Sequence, residues 1–273
     1  MADKQILNVT DLSSYLYCPR KFFLTKVKGM KEPLNKAMVE GSIRHKVLEE
    51  FGNNEQRLIE NLEKINHTFT KESVTEFYEA YLKELIRHVL YKNERMIYAF
   101  KINSDELKDK IEMQMNNEIK LRVDSIMNTI KKGFVGKELW ENLSPKYLSE
   151  YKVLSEKLGL KGRIDRLMIK DIDEIIPFEL KTRVSEKIWP SDEVQLTAYA
   201  MLLEEEYGRQ ITKGILESGN IKHEMEITEK EKQKVVELIK EVHEVLENGR
   251  AKFPSSFAKC QSCNFEEDCD KLE

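Results

Sequence analysis

The sequence predicts an α/β protein, a mixed β-sheet flanked by helices and interrupted by an all-helical insert. Three observations predict it. After Pro145, three short apolar segments of strand character follow one another, separated by turns near Gly159 and at Asp171-Ile172-Asp173. Helical patterns flank and follow that meander, ending at Tyr207 and Gly249. From Glu55 to about Lys132 the periodicity is helical almost without relief, which is the insert. A chain of 273 residues, 40% of them hydrophobic, is long enough for one or two domains and for a real core.

Along the chain, Thr10 caps a short helix through Tyr17, and Pro19 breaks the chain after Cys18. A second helix runs from Asn35 to Phe51 and stops at Gly52. In the insert Ser104 is a cap and Gly133 a stop, and Tyr78, Tyr81, Leu82 and Leu85 recur at helical spacing, which places them in a core. The meander comprises Tyr147 to Leu158, Leu160 to Lys170 and Glu174 to Thr182. A helix from Ser191 to about Tyr207 and strands around Ile211 to Leu216 and Ile221 to Ile227 come next. Thr228 with Glu231 three residues on forms a capping box for the last long helix. The segments divide as 1–52 (N-terminal helical), 53–145 (insert), 146–227 (sheet core) and 228–273 (C-terminal helix and cysteines).

Charge and hydropathy exclude several classes. With 34% charged residues, 11 Gly, 6 Pro and a mean hydropathy of −0.56, the chain is neither collagen-like nor membrane-embedded. Its start lacks the basic-then-apolar layout of a signal peptide, so a cytoplasmic location is expected. The net charge of −4 argues against a protein that coats polyanions over its whole surface. Locally the balance reverses: Arg20, Lys21, Lys26, Lys28, Lys31, Lys36, Arg44 and Lys46 face only Glu32 and Glu40 between Cys18 and Lys46. That segment suits phosphate, with Phe22 or Phe23 to stack bases; a solvated helix face is the competing reading.

Four cysteines in such a chain point away from structural disulfides. Cys18 stands alone, whereas Cys260, Cys263 and Cys269 follow the spacing Cys-x2-Cys-x5-Cys. Two Cys-x2-Cys knuckles would suit a zinc ribbon, and this spacing differs. Three readings stay open: a 4Fe-4S cluster, a four-cysteine zinc site, or unrelated buried thiols.

The segments richest in chemistry are Gly162-Arg163-Ile164-Asp165 and Pro177-Phe178-Glu179-Leu180-Lys181. Alternation along a strand puts Glu179 and Lys181 on one face, about 7 Å apart, and turns Ile176, Phe178 and Leu180 to the other. Asp165 on the neighbouring strand supplies a second carboxylate for a hard divalent cation, beside which Lys181 can orient or help deprotonate water. The tripeptide Glu-x-Lys decides nothing by itself, because it recurs at Glu106, Glu118 and Glu150, and a surface salt bridge competes with it. Gln195 and Tyr199 share one face of the following helix. His45 lies beside Arg44 on the second helix.

Taken in order, His45, Gly162-Arg163-Ile164-Asp165, Glu179-x-Lys181 and Gln195-x3-Tyr199, bracketed by Cys18 and Cys260-x2-Cys263-x5-Cys269, resemble the RecB-like branch of the PD-(D/E)XK nucleases. Within that branch the likeness is to the CRISPR-associated RecB-like exonucleases of iron-sulfur type, over about residues 8–52 and 147–273. The resemblance implies a restriction-endonuclease-like core whose catalytic set is Asp165, Glu179 and Lys181. It implies that His45, Asp165, Glu179 and the backbone carbonyl of Leu180 bind Mn2+ or Mg2+. It further implies that Cys18, Cys260, Cys263 and Cys269 hold a 4Fe-4S cluster tying the two ends of the chain, and that Gln195 and Tyr199 hold DNA, to which the basic residues Arg20 and Lys21 add. The implied activity is a metal-dependent exodeoxyribonuclease, 5′ to 3′ on single-stranded DNA or single-stranded ends, that trims DNA for CRISPR spacer acquisition with CRISPR integrase proteins as partners. The long insert keeps a stand-alone or AddB-like DNA repair nuclease open. A non-catalytic DNA-binding scaffold is disfavoured by the presence of Asp165, Glu179 and Lys181 together.

Overall fold

The computed structural model of the chain describes residues 5–62, 69–170, 174–181, 186–218, 221–253 and 257–272. They fall into two units, one of Met1–Pro33, Lys152–Ile164 and Ile176–Glu273, the other of Leu34–Tyr151 and Asp165–Ile175.

The sheet is mixed, with helices packed on it. Strand β1 is Leu7–Asn8, β2 Lys146–Ser155, β3 Leu160–Lys170, β4 Glu174–Lys181, β5 Lys213–Ser218 and β6 Ile221–Glu226. The order is β1-β3-β4-β5-β6, with β2 also paired to β3, so the three consecutive strands of the expected meander are neighbours. Pairs β1–β3 and β4–β5 are parallel, with Glu179 opposite Leu216 and Lys181 opposite Ser218, while β5 and β6 form an antiparallel hairpin. Because β4 has neighbours on both sides and is covered on both faces, six successive residues, Ile175 through Leu180, are buried rather than every second one.

Helix α1 (Val9–Tyr17) starts earlier than Thr10 predicts, because Asn8 donates both its backbone N–H and its side-chain amide to Asp11 at 2.9 and 3.0 Å. Pro19 is the first residue of α2 (Pro19–Lys26), where its missing N–H costs nothing. Phe22 and Phe23 lie on α2 at 1% and 5% exposure, so their rings are core and cannot stack on bases. Helix α8 (Pro190–Tyr207) ends at Gly208 in the left-handed conformation, and α9 (Glu229–Asn248) at Gly249 likewise. Helices α1 and α9 both pack on α8, which packs on β5. At the start of α9 the Thr228 hydroxyl reaches the Glu231 carboxylate rather than a backbone N–H, so a bond between the two side chains stands in place of the expected box.

Gly162 on β3 is required by close approach. A Cβ there would meet Tyr199 Cε1 at 2.7 Å and Val9 Cγ2 at 3.0 Å. The glycine therefore lets α8 and the start of α1 seat against the strand.

The second unit holds α3 (Lys36–Glu60), α4 (Lys71–Lys92), α5 (Glu94–Ala99), α6 (Ser104–Ile130) and α7 (Gly136–Glu141). Its core includes Val47, Phe51, Ile59, Tyr78, Leu82, Val89, Leu107 and Ile126. Helix α3 does not stop at Gly52. There a Cβ would lie 2.8 Å from Ser149 Cβ, so the glycine admits a neighbouring strand instead of ending the helix. Helix α6 is capped by Asn103, whose Oδ1 accepts from the N–H groups of Asp105 and Glu106, not by Ser104.

A buried charge network crosses this unit. Arg122 on α6 donates to Glu55 on α3 at 3.1 Å, to Glu118, and to the Ser149 hydroxyl at 2.8 Å, while Arg166 on β3 reaches Glu118 as well. Burial pushes the Glu118 carboxyl up, but the Arg166 and Arg122 guanidiniums outweigh it and hold the group below its ordinary value. Glu55 has Arg122 against the same burial, and burial wins. Among the described residues no helix is long and apolar enough to cross a membrane.

Candidate active site

Within the second unit, His45 from α3, Glu150 from β2 and Asp165 from β3 bring their ligand atoms within 4.8 Å of one another. His45 Nδ1 lies 2.7 Å from Glu150 Oε1 and 3.5 Å from Asp165 Oδ1. The carboxylates are buried, at 2% and 6% side-chain exposure, while the imidazole is 35% exposed. A site with two buried carboxylates draws positive charge. The hydrogen bond to Glu150 accordingly raises His45 above its ordinary value against the opposing effect of burial, with Asp165 adding to the rise. Arg44, next along α3, is lowered by burial although Asp165 and Glu40 pull it the other way.

Alternation explains why Asp165 and its neighbour part company. Successive side chains on β3 point to opposite faces, so Asp165 meets His45 while Arg166 enters the Glu118 network. The same split occurs on β2, where Ser149 accepts from Arg122 and Glu150 meets the histidine. Glu150 has a φ of 52°, in the region that side chains rarely adopt. This strain sits at the residue that reaches His45, and strain of that kind concentrates at functional sites.

Within the first unit, Glu179 and Lys181 share a face of β4 as the alternation predicts, and Lys181 Nζ donates to Glu179 Oε1 at 2.7 Å. Lys181 also lies 3.4 Å from Gln195 Oε1 and 3.5 Å from Asp192 Oδ1 on α8. Gln195 Nε2 donates to the other Glu179 oxygen at 2.7 Å and to the Tyr199 hydroxyl at 3.0 Å. Tyr199 in turn donates to the Arg163 carbonyl at 2.8 Å. With Tyr199 2% and Gln195 7% exposed, this is an internal chain of hydrogen bonds that fixes both oxygens of Glu179. Leu180, between Glu179 and Lys181, pairs with Glu217 of β5.

The four cysteines belong to the first unit and none is in a disulfide. Cys18 is the extended residue between α1 and α2, and its Sγ accepts the N–H of Lys21 at 3.4 Å. Cys260 lies on a 3-10 helix (Phe257–Ser262), Cys263 just beyond it and Cys269 on α10 (Glu266–Asp270). Together they line a cavity of about 260 Å3 that also includes Arg20 and Phe265. Desolvation first, then the charges of Cys18, Cys269 and Cys263, push the Cys260 thiol up.

The structure thus gathers His45 with Asp165, Glu179 with Lys181, Gln195 and Tyr199, and the four cysteines around one cavity. Arg20 and Lys21, placed on DNA by their charge, are otherwise engaged. Arg20 is 8% exposed and donates to the Cys269 carbonyl, and Lys21 pairs with Glu32 at 2.6 Å. Sequence reasoning missed Glu150, one more copy of Glu-x-Lys there, and Asp192. Only an acidic residue on the strand before Asp165 signalled the first.

The family profile of the PD-(D/E)XK nuclease superfamily matches residues 6–270. Over 103 residues the chain is 35% identical to a CRISPR-associated exonuclease Cas4/endonuclease Cas1 fusion from Leptospira interrogans serogroup Icterohaemorrhagiae serovar Lai (strain 56601). That stretch is 34% of this chain and 19% of the relative, so the chain spans well under two thirds of the length of the relative it matches. Among solved structures, a candidate exonuclease from Eubacterium rectale aligns with 100% of this chain and 91% of its own at 11% identity and a TM-score of 0.46. From residue 6 to residue 270, then, the chain belongs to the PD-(D/E)XK nuclease superfamily.

Proposed function

We propose that this protein is a divalent-metal-dependent exodeoxyribonuclease, working 5′ to 3′ on single-stranded DNA or single-stranded ends, and that it carries a 4Fe-4S cluster. The observation that carries the catalytic reading is the geometry at β4, where a lysine ammonium touches a buried carboxylate whose other oxygen is held by Gln195. His45 and Asp165, one imidazole and one carboxylate, are donors that fit Mn2+ or Mg2+, with Glu150 beside them as the partner of the imidazole. A bound divalent cation would polarise the scissile phosphate and make its water a better nucleophile. Lys181 is positioned to stabilise charge that develops on the phosphate, and Glu150 holds His45 by Nδ1, which fixes the tautomer with Nε2 available to the ion.

The cluster reading rests on four free thiols around one cavity. A closed four-cysteine zinc site needs sulfurs roughly 4 Å apart, given zinc–sulfur bonds of about 2.3 Å. A cavity of about 260 Å3 has room for either group, and the choice of the cluster rests on the likeness to iron-sulfur nucleases. A place in trimming DNA for CRISPR spacer acquisition, beside a Cas1-type integrase, is supported by the fused relative. The deciding experiment is degradation of end-labelled single-stranded DNA by anaerobically purified protein. Activity with Mn2+ that vanishes with chelator is expected; activity that survives chelation would overturn the metal-dependent reading.

A further inference from the structure

Arg20 presents a physical problem that a surface DNA contact does not solve. Its side chain is more than nine-tenths buried, at 8% exposure, at the edge of the cysteine cavity. One terminal nitrogen donates to the Cys269 carbonyl at 3.0 Å and lies 3.7 Å from Cys269 Sγ. The other reaches the Leu272 carbonyl at 3.4 Å. The guanidinium carbon sits 3.6 Å over the Phe253 ring, and Nε is buried without a hydrogen-bond partner among the described residues. These partners are carbonyls, a ring and a sulfur. A guanidinium keeps its charge in proteins, and burying that charge is costly unless an anion compensates it. Glu266 and Asp270 also line this cavity, but among the described residues neither forms an ion pair with Arg20; the groups there that become anionic on binding metal are the four thiols, and four thiolates around an iron-sulfur core, or around zinc, keep a net negative charge.

We propose that Arg20 is the counter-cation and clamp of the four-cysteine centre. It offsets the charge of the thiolates through Cys269, and it pins the chain from Cys269 to Leu272 against α2 through their carbonyls. The fork shape of the guanidinium matters as much as its charge, since one head reaches two carbonyls and a sulfur while its flat face rests on Phe253. Hydrogen bonds and charge at the sulfurs are among the factors that set the reduction potential of such a centre, and reduction adds negative charge that Arg20 favours. The assignment rests on the cluster reading above and gives Arg20 a role other than DNA binding.

The test uses the full chain, purified anaerobically, as wild type, Arg20→Gln and Arg20→Lys. Iron and sulfide per chain, the reduction potential followed in the visible spectrum, the rate of iron release to a chelator and binding to a labelled single-stranded oligonucleotide are measured. Arg20→Gln is expected to move the potential to more negative values and to release iron several-fold faster. Arg20→Lys, which keeps the charge but not the fork, is expected to hold the potential nearer to wild type and still release iron faster. Should Arg20→Gln fail to fold, the potential and release rate of Arg20→Lys decide. Wild-type potential and release rate in the variants would overturn the proposal, and if single-stranded DNA binding were lost alongside them, Arg20 would return to the DNA. A wild-type protein without iron is a different failure. Zinc in its place would refute the cluster and leave zinc release as the measure of the clamp, whereas no metal at all would refute the centre and the clamp with it.

Discussion

At the scale of single residues, the two carboxylate groupings differ in what holds them. Glu179 is fixed by Lys181 and Gln195, so both its oxygens have set directions before any ion arrives, whereas Asp165 shares His45 with Glu150. Asp165→Ala, Glu179→Ala and Lys181→Ala are each expected to abolish DNA degradation. Groups acting on one transition state lose the same rate whichever is removed, so the double variants should be no worse than the singles. Substantial turnover by any single variant would remove that residue from the machinery. Glu150→Gln tests a subtler role, because it keeps the shape but weakens the hold on His45 Nδ1. Losing such an outer partner of a metal-binding histidine costs about 10- to 100-fold in metal affinity. Mn2+ titration by calorimetry should show that loss while the melting temperature stays close to wild type.

Elements are positioned by two glycines and one buried network. Gly162→Ala places a methyl 2.7 Å from the Tyr199 ring, and Gly52→Ala one 2.8 Å from Ser149 Cβ. Overpacking of this kind costs about 1–3 kcal/mol, which urea unfolding can measure. Gly162→Ala should also lower turnover by displacing Tyr199 from the hydrogen bonds that end on Glu179, whereas a loss of stability alone would leave turnover at 25 °C unchanged. Arg122→Met strands Glu55 in the core, while Glu118 keeps Arg166, and is expected to cost about 3–5 kcal/mol, because removing one partner leaves buried charge uncompensated. The network also predicts acid sensitivity. Glu118 binds its proton less tightly folded than unfolded, so its contribution is complete above its ordinary pKa of 4.5 and is lost as pH falls through the lowered value. Glu118→Gln should flatten that part of the pH–stability curve.

For the molecule as a whole, the cysteine cavity brings residue 18 to residues 260, 263 and 269, across nearly the full length of the chain. A group bound only in the folded state adds its binding free energy to stability, and closing so long a loop removes unfolded-state entropy. Cys18→Ser and Cys263→Ser are therefore expected to lower the melting temperature together and to weaken single-stranded DNA binding, with Asp165, Glu179 and Lys181 untouched. Variants that melt, bind and cut like wild type would show the centre to be dispensable. Metal analysis of the wild type distinguishes iron with sulfide from a single zinc.

The amino-acid sequence by itself determined the succession of strands and helices from Tyr147 onward, because period-two and period-3.6 patterns are local properties. It also determined that Glu179 and Lys181 share a face, since alternation along a strand needs no tertiary information. Only the tertiary structure decided what the glycines are for: Gly52 reads as a stop yet sits inside α3, because what it accommodates is Ser149, 97 positions away in sequence. Only the tertiary structure separated Glu150 from Glu106 and Glu118, the same tripeptide in each case, by setting Glu150 against His45 and Glu118 against two arginines. Arg20 shows the same limit. Charge composition marks it for phosphate, but burial depends on which distant segments pack over a residue, and here those are Phe253, Cys269 and Leu272.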